Sequence, residues 1–136
     1  MVTPLEVKIV KSIPGEVELP EVNIVMTYTI IGVKAAKVGG GYSVAATIDI
    51  TAKFIKTPGR ILGVCAPGNV PYRSVPFAAS KLAHAVIETD GRVFDIYVEP
   101  IAVMVADGFI TPLGEPCIAV STATGWVARQ PSQDTR

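Results

Sequence analysis

Residues 39–54 read Gly-Gly-Gly-Tyr-Ser-Val-Ala-Ala-Thr-Ile-Asp-Ile-Thr-Ala-Lys-Phe, and this stretch constrains the fold more than any other. After the glycines, Tyr42, Val44, Ala46, Ile48, Ile50, Ala52 and Phe54 alternate with Ser43, Ala45, Thr47, Asp49, Thr51 and Lys53. A strict two-residue period over this length is the pattern of a strand with one face buried. An α-helix would need its apolar residues three and four apart instead. The chain is therefore expected to be a β protein, and the glycines before the strand permit the positive φ of a hairpin turn.

Composition narrows the class. At 136 residues the chain fits one domain, large enough for a core without needing disulfides or metal. Only 18% of its residues are charged, against about 25% in an average soluble domain. Twelve basic residues balance twelve acidic ones, so no net field draws nucleic acid or an anionic membrane. Mean hydropathy is +0.45, yet no apolar run is long enough to span a bilayer, which points to apolar surface covered by other subunits and not to membrane insertion. At the N-terminus Leu5, Val7 and Ile9 alternate with Glu6 and Lys8, without the basic start and continuous apolar core of a secretory signal. An extracellular position would then require another export route or a longer precursor.

Turn signals divide the rest of the chain into strands. Residues 5–11 form a first candidate ended by Pro14-Gly15, residues 16–19 a short piece closed by Pro20, and residues 22–33 a longer strand expected to be buried on both faces in its second half. Residues 60–65 suit a short strand, and the run Pro67-Gly68-Asn69-Val70-Pro71 a surface loop. Residues 77–88 combine alanines at helical spacing with alternation at Leu82, His84 and Val86, and predict a helical turn followed by a strand. Asp90-Gly91 between apolar runs marks a hairpin into a long strand over residues 92–106, where Pro100 requires an edge position or a bulge. Beyond Asp107, glycines and prolines leave only short β pieces at residues 117–120 and 126–128.

Catalytic chemistry is sparse. The single histidine, His84, lies between alanines in an apolar segment, where a buried or interfacial role outweighs that of a general base. Asp49, Asp95 and Glu99 fall on polar strand faces, and nothing sets two carboxylates opposite each other as glycoside hydrolysis would require. The glycine run lacks the lysine and helix of a phosphate loop. Cys65 and Cys117 are too far apart for a zinc site; two separate thiols is the leading reading, one disulfide within or between subunits the other. No cofactor, metal or catalytic residue is expected. Trp126, in a glycine-bearing tail, is the aromatic best placed to be exposed, as a glycan-stacking platform would be.

The order of elements resembles the SPOCS domain of spore coat morphogenetic proteins. The likeness rests on residues 15–20 (Gly-Glu-Val-Glu-Leu-Pro), the strand at 41–54, Val75-Pro76-Phe77, and residues 91–98 (Gly-Arg-Val-Phe-Asp-Ile-Tyr-Val), and covers residues 13–107. Ala46 stands where that family often has a glycine, and the tyrosine usual soon after the strand is missing. The resemblance implies a non-enzymatic role in building a spore envelope through protein contacts.

These readings lead to an all-β domain, an antiparallel sandwich or flattened barrel of about seven to nine strands. Residues 1–12 are expected as an N-terminal strand or assembly arm, 13–128 as the sandwich and 129–136 as a disordered tail. The expected function is a self-assembling structural subunit of a filament, appendage or spore-surface layer, with itself and other envelope proteins as partners. Its joint would be strand addition, with Leu5, Val7 and Ile9 of the arm filling alternate pockets on a neighbouring sheet edge. A viral capsid or decoration protein and a carbohydrate- or peptidoglycan-binding module are the alternatives.

Overall fold

The computed structural model describes residues 2–65 and 70–129. Its elements are β1 (Val2–Leu5), β2 (Lys8–Ile13), β3 (Gly15–Leu19), a 3-10 turn (Pro20–Val22), β4 (Ile24–Val38), β5 (Gly41–Phe54), β6 (Gly63–Val64), β7 (Arg73–Ser74), β8 (Ala78–Lys81), β9 (Ala83–Thr89), β10 (Arg92–Ile110) and β11 (Pro116–Ala128). They form two sheets, antiparallel except for the two-residue β6, which runs parallel to β10. In the first sheet β5 lies along one side of β4, while β1 and β3 share its other side and β8 follows β3. In the second, β11 lies along one side of β10, while β9, β7 and β6 share the other and β2 follows β9. The architecture is a sandwich, and the sheets do not close into a barrel.

One side of the sandwich is stitched by the chain itself. β2 belongs to the second sheet and β3 to the first, with only Pro14 between them. β8 and β9 make the reverse change at Leu82. Since β2 pairs with β9 and β3 with β8, two antiparallel strands bend together from one sheet into the other. Strands that change sheets at a bend are a standard way to make such a corner. Pro14-Gly15 is therefore a bend within a continuing strand and not the end of one. Gly15 is required there, since a Cβ would lie 2.5 Å from both the Tyr28 ring and the Ala83 nitrogen.

Alternation builds the core between the sheets. Val17, Leu19, Ile24, Met26, Tyr28 and Ile30 meet Ala83, Ala85, Ile87, Phe94, Ile96, Val98, Val103 and Val105, all buried. Tyr28 also ties the layers by hydrogen bonds: its hydroxyl donates to the Val98 carbonyl at 2.8 Å and accepts from the Ala83 N–H at 3.3 Å. The two long strands each carry a bulge, between Ile30 and Gly32 and between Pro100 and Ala102. The extra residues, Ile31 and Ile101, are each 59% exposed. A bulge shifts the phase of alternation by one residue, so consecutive apolar residues there do not mean burial on both faces. That corrects the expectation for the second half of β4, and it is how Pro100 is accommodated within a central strand.

Several other boundaries differ from the sequence reading. The first candidate strand divides between two sheets, as β1 and β2. The helical turn expected at the start of residues 77–88 is absent: Ala78–Lys81 is a strand, and the apparent helical spacing comes from the break at Leu82. The tail pieces merge into the thirteen-residue β11, because β10 pairs with it through Gly125 as well as through its apolar residues. Thr89 pairs with Arg92 around Asp90 and Gly91, both at positive φ (52° and 69°), as a two-residue hairpin loop demands. Of the expected surface loop, Pro67, Gly68 and Asn69 lie outside the described residues, as do residues 130–136 of the tail. Arg129 belongs to the fold, its N–H donating to the Val93 carbonyl.

Candidate assembly surface

The side opposite the stitched corner is open. Among the described residues β5 pairs only with β4 and β11 only with β10, so each presents an unpaired edge there, fourteen and thirteen residues long. Such edges offer rows of backbone donors and acceptors to any further strand unless charges, prolines or a cover blunt them. β11 contains no charged residue, and its one proline is its first residue. β5 carries only Asp49 and Lys53.

Between the two edges the interior is incompletely covered. The inward residues Val44, Ala46, Ile48 and Ile50 of β5 are all half-buried, as are Ile118 and Val120 of β11, although they pack on the core. A cavity of about 240 Å³ opens at one end, lined by Ile50, Ala52, Tyr72, Cys117 and Ile118 among others. An aromatic cluster fills the other end. Tyr42 meets Phe94 edge-on at 5.1 Å and Trp126 at 6.1 Å, and Phe94 lies 5.5 Å from Trp126. The Tyr42 hydroxyl donates to Asp90 at 2.7 Å, which holds that carboxylate below its ordinary pKa, with Lys37 3.6 Å away adding to the effect. Trp126 is thus half-buried in a ring cluster and not presented as an open stacking platform, contrary to the expectation from its glycine-bearing surroundings.

The predicted arm residues are found near this fold but not together on one edge. Leu5 stands opposite Ala35 in the first sheet, Ile9 opposite Ile87 in the second, and Val7 between the two strands. In this chain alone, the arm is docked on its own subunit. The docking is shallow: residues 2–11 are all exposed except Leu5 and Val7, which are half-buried. A register shift between Ile9 and Lys11 interrupts its pairing with β9 at Val10. Besides the pairing of residues 2–5 with β4 and of Lys8 and Ile9 with β9, the arm is anchored by the Thr89 hydroxyl, which donates to the Glu6 carbonyl at 2.6 Å.

Cys65 and Cys117 are joined in a disulfide and are not separate thiols, with Cα atoms 6.4 Å apart. The bond holds the loop after β6 to the start of β11, at the rim of the open cavity.

A polar cluster lies on the outer face of the second sheet. His84 Nε2 is 2.8 Å from Asp95 Oδ1, and its ring stacks on Tyr97 at 4.5 Å. The Arg129 guanidinium donates to both Asp95 oxygens, at 3.0 and 3.1 Å. This pairing holds the Asp95 carboxyl below the usual carboxylate range; partial burial opposes the shift and His84 adds to it. Sequence reasoning missed Arg129, which sits at the boundary of the expected tail and meets Asp95 only through the pairing of β10 with β11. A depressed folded pKa contributes stability above the unfolded aspartate value, near 4, that is lost as pH falls through the folded value. Asp95→Asn is expected to cost about 1–2 kcal/mol at neutral pH and to flatten the acid limb of stability against pH. Denaturant unfolding of both proteins between pH 7 and pH 2.5 measures this, and parallel curves would show that the cluster adds nothing.

Among the described residues no group of three or more His, Cys, Asp or Glu side chains could hold a metal ion, and no helix is long and apolar enough to cross a membrane. No protein-family model matches the chain, and no curated protein or solved structure is detectably similar to it.

Proposed function

We propose that this chain is a non-enzymatic, self-assembling structural subunit joined to its copies by addition of the N-terminal arm to an open sheet edge. The observation that carries the reading is the pair of long, nearly uncharged edges flanking a half-buried apolar stripe, a combination that monomeric β proteins avoid. The low charge content of the chain supports it, as does an arm whose side chains are little buried in their own subunit. A strand supplied by each copy to the next is a head-to-tail contact, which generates a filament wherever its rotation does not close. The disulfide supports a position outside the reducing cytosol. With the resemblance to SPOCS domains, this favours a spore-surface layer or appendage among the structures such a subunit could build.

Negative-stain electron microscopy with sedimentation of the purified chain tests the reading. Regular fibres or closed shells are expected, and a monodisperse monomer at all concentrations would overturn it. Removing residues 1–11 makes the chain begin at Ser12, just past the Val10 irregularity, and is expected to leave a folded monomer that no longer assembles. An insoluble product would instead identify the arm as an obligatory strand of its own sandwich.

A further inference from the structure

We infer that the arm docks on the β5 edge of a second copy, antiparallel to it, with Lys8 opposite Asp49. This rests on the strand-addition reading above and specifies its acceptor and register. Three observations select them.

The first is the inner face. β5 offers four consecutive apolar inward residues, Val44, Ala46, Ile48 and Ile50, all half-buried and so able to gain cover. The corresponding line on β11 is interrupted by Thr122 and Thr124. With Lys8 opposite Asp49 in an antiparallel pair, Ile9 faces Ile48, Val7 faces Ile50 and Leu5 faces Ala52, so all three arm residues fall on the apolar side.

Charge is the second. The outward residues of the arm are Glu6 and Lys8, and the only charges on β5 are Asp49 and Lys53, both outward. In the antiparallel register Lys8 faces Asp49 directly, and Glu6 faces Thr51 with Lys53 on one diagonal and Asp49, already paired with Lys8, on the other. A parallel strand with Lys8 at Asp49 puts Glu6 beside Thr47 and leaves Lys53 unmatched. On β11 there is no charge to choose any register.

The third is the hinge. Pairing of β2 with β9 breaks at Val10, which is 52% exposed, whereas Ser12 bonds the Ile30 carbonyl at 2.8 Å. The chain can therefore peel up to Val10 and leave residues 11–13 in place. Release breaks the bond from Thr89 to Glu6, the four-residue pairing of β1 with β4, and the pairing of Lys8 and Ile9 with Glu88 and Ile87 of β9, and pairing on the acceptor offsets these losses.

Charge exchange in the full-length chain tests the register. Lys8→Glu and Asp49→Lys are each expected to raise the critical concentration for assembly roughly five- to thirtyfold, as an attractive cross-strand pair becomes repulsive. The double variant is expected to assemble near the wild-type concentration. Lys8 stands opposite Glu88 in its own subunit, so Lys8→Glu also weakens the docked arm. That effect favours release, and a loss of assembly then reports on the acceptor. Thermal unfolding of each variant checks that the sandwich is intact. Single variants that assemble normally while removal of residues 1–11 still blocks assembly would overturn the β5 register and leave strand addition standing. Single losses without recovery in the double variant would overturn the Lys8 to Asp49 pairing. A wild-type chain that never assembles overturns both the register and the reading beneath it.

Discussion

Replacing both Cys65 and Cys117 by serine is expected to lower stability by about 4 kcal/mol, the loop-entropy value for a closure of this length. The two cysteines are separated by 52 residues, so the bond removes much conformational freedom from the unfolded chain. The region it closes needs that help. Between β5 and β8 the described chain holds only the two-residue strands β6 and β7, with Arg73 and Asp107 paired at an exposed site. Cys117 is buried at the start of β11, and the Cys65 N–H donates to the Ile110 carbonyl, so the bond fastens this region at the open side of the sandwich. Denaturant unfolding with and without reductant measures the effect: the wild type should fall by the stated amount on reduction, and the serine variant should not respond. A change below about 1 kcal/mol would show that the loop is held by its other contacts. Because the disulfide lines the cavity beside β5, the serine variant should also assemble less well, through a less ordered rim.

Tyr28→Phe is expected to cost about 2–4 kcal/mol, although it removes one oxygen atom and almost no volume. The hydroxyl is buried and serves two backbone groups of the opposite sheet, the Val98 carbonyl and the Ala83 N–H. A phenylalanine leaves both without this partner in the buried layer between the sheets, and each such group carries a penalty of about 1–3 kcal/mol. Burial raises the Tyr28 pKa, so the neutral form that can donate is the one the core favours. Chemical denaturation compares the two proteins, and a loss below about 0.5 kcal/mol would mean that the hydroxyl does not bind the sheets together. Gly15→Ala attacks the same junction from the other side, since its methyl would press on the Tyr28 ring and on the backbone of Ala83. Ring and backbone at 2.5 Å cannot both yield without moving the corner, so this variant should also be destabilised, by about 1–3 kcal/mol.

Much of the candidate surface could be read in the sequence, but not its arrangement. The β5 stripe is visible as alternation, and the arm as Leu5, Val7 and Ile9 around Glu6 and Lys8. What alternation does not say is that β5 ends its sheet. That depends on every other strand finding a partner elsewhere. Trp126 shows the same limit, because its glycine neighbour suggested exposure while Tyr42, remote in sequence, covers it. Arg129 was assigned to the tail for want of any local pattern, and only the pairing of β11 with β10 carries it to Asp95.

By itself, then, the sequence determined the class of structure and its most local features: strands where apolar residues recur at two, a turn at Asp90-Gly91, and at Pro100 a position that only a sheet edge or a bulge tolerates. These follow from backbone geometry over a few residues, and no distant partner is needed to choose them. Tertiary structure alone decided that residues 2–13 divide between two sheets, that residues 78–81 are strand and not helix, that β11 runs unbroken through Gly125, and that two thiols 52 residues apart become one bond. Each is an outcome of register between remote segments, where hydrogen bonding along a whole ladder outweighs the preference of any single residue.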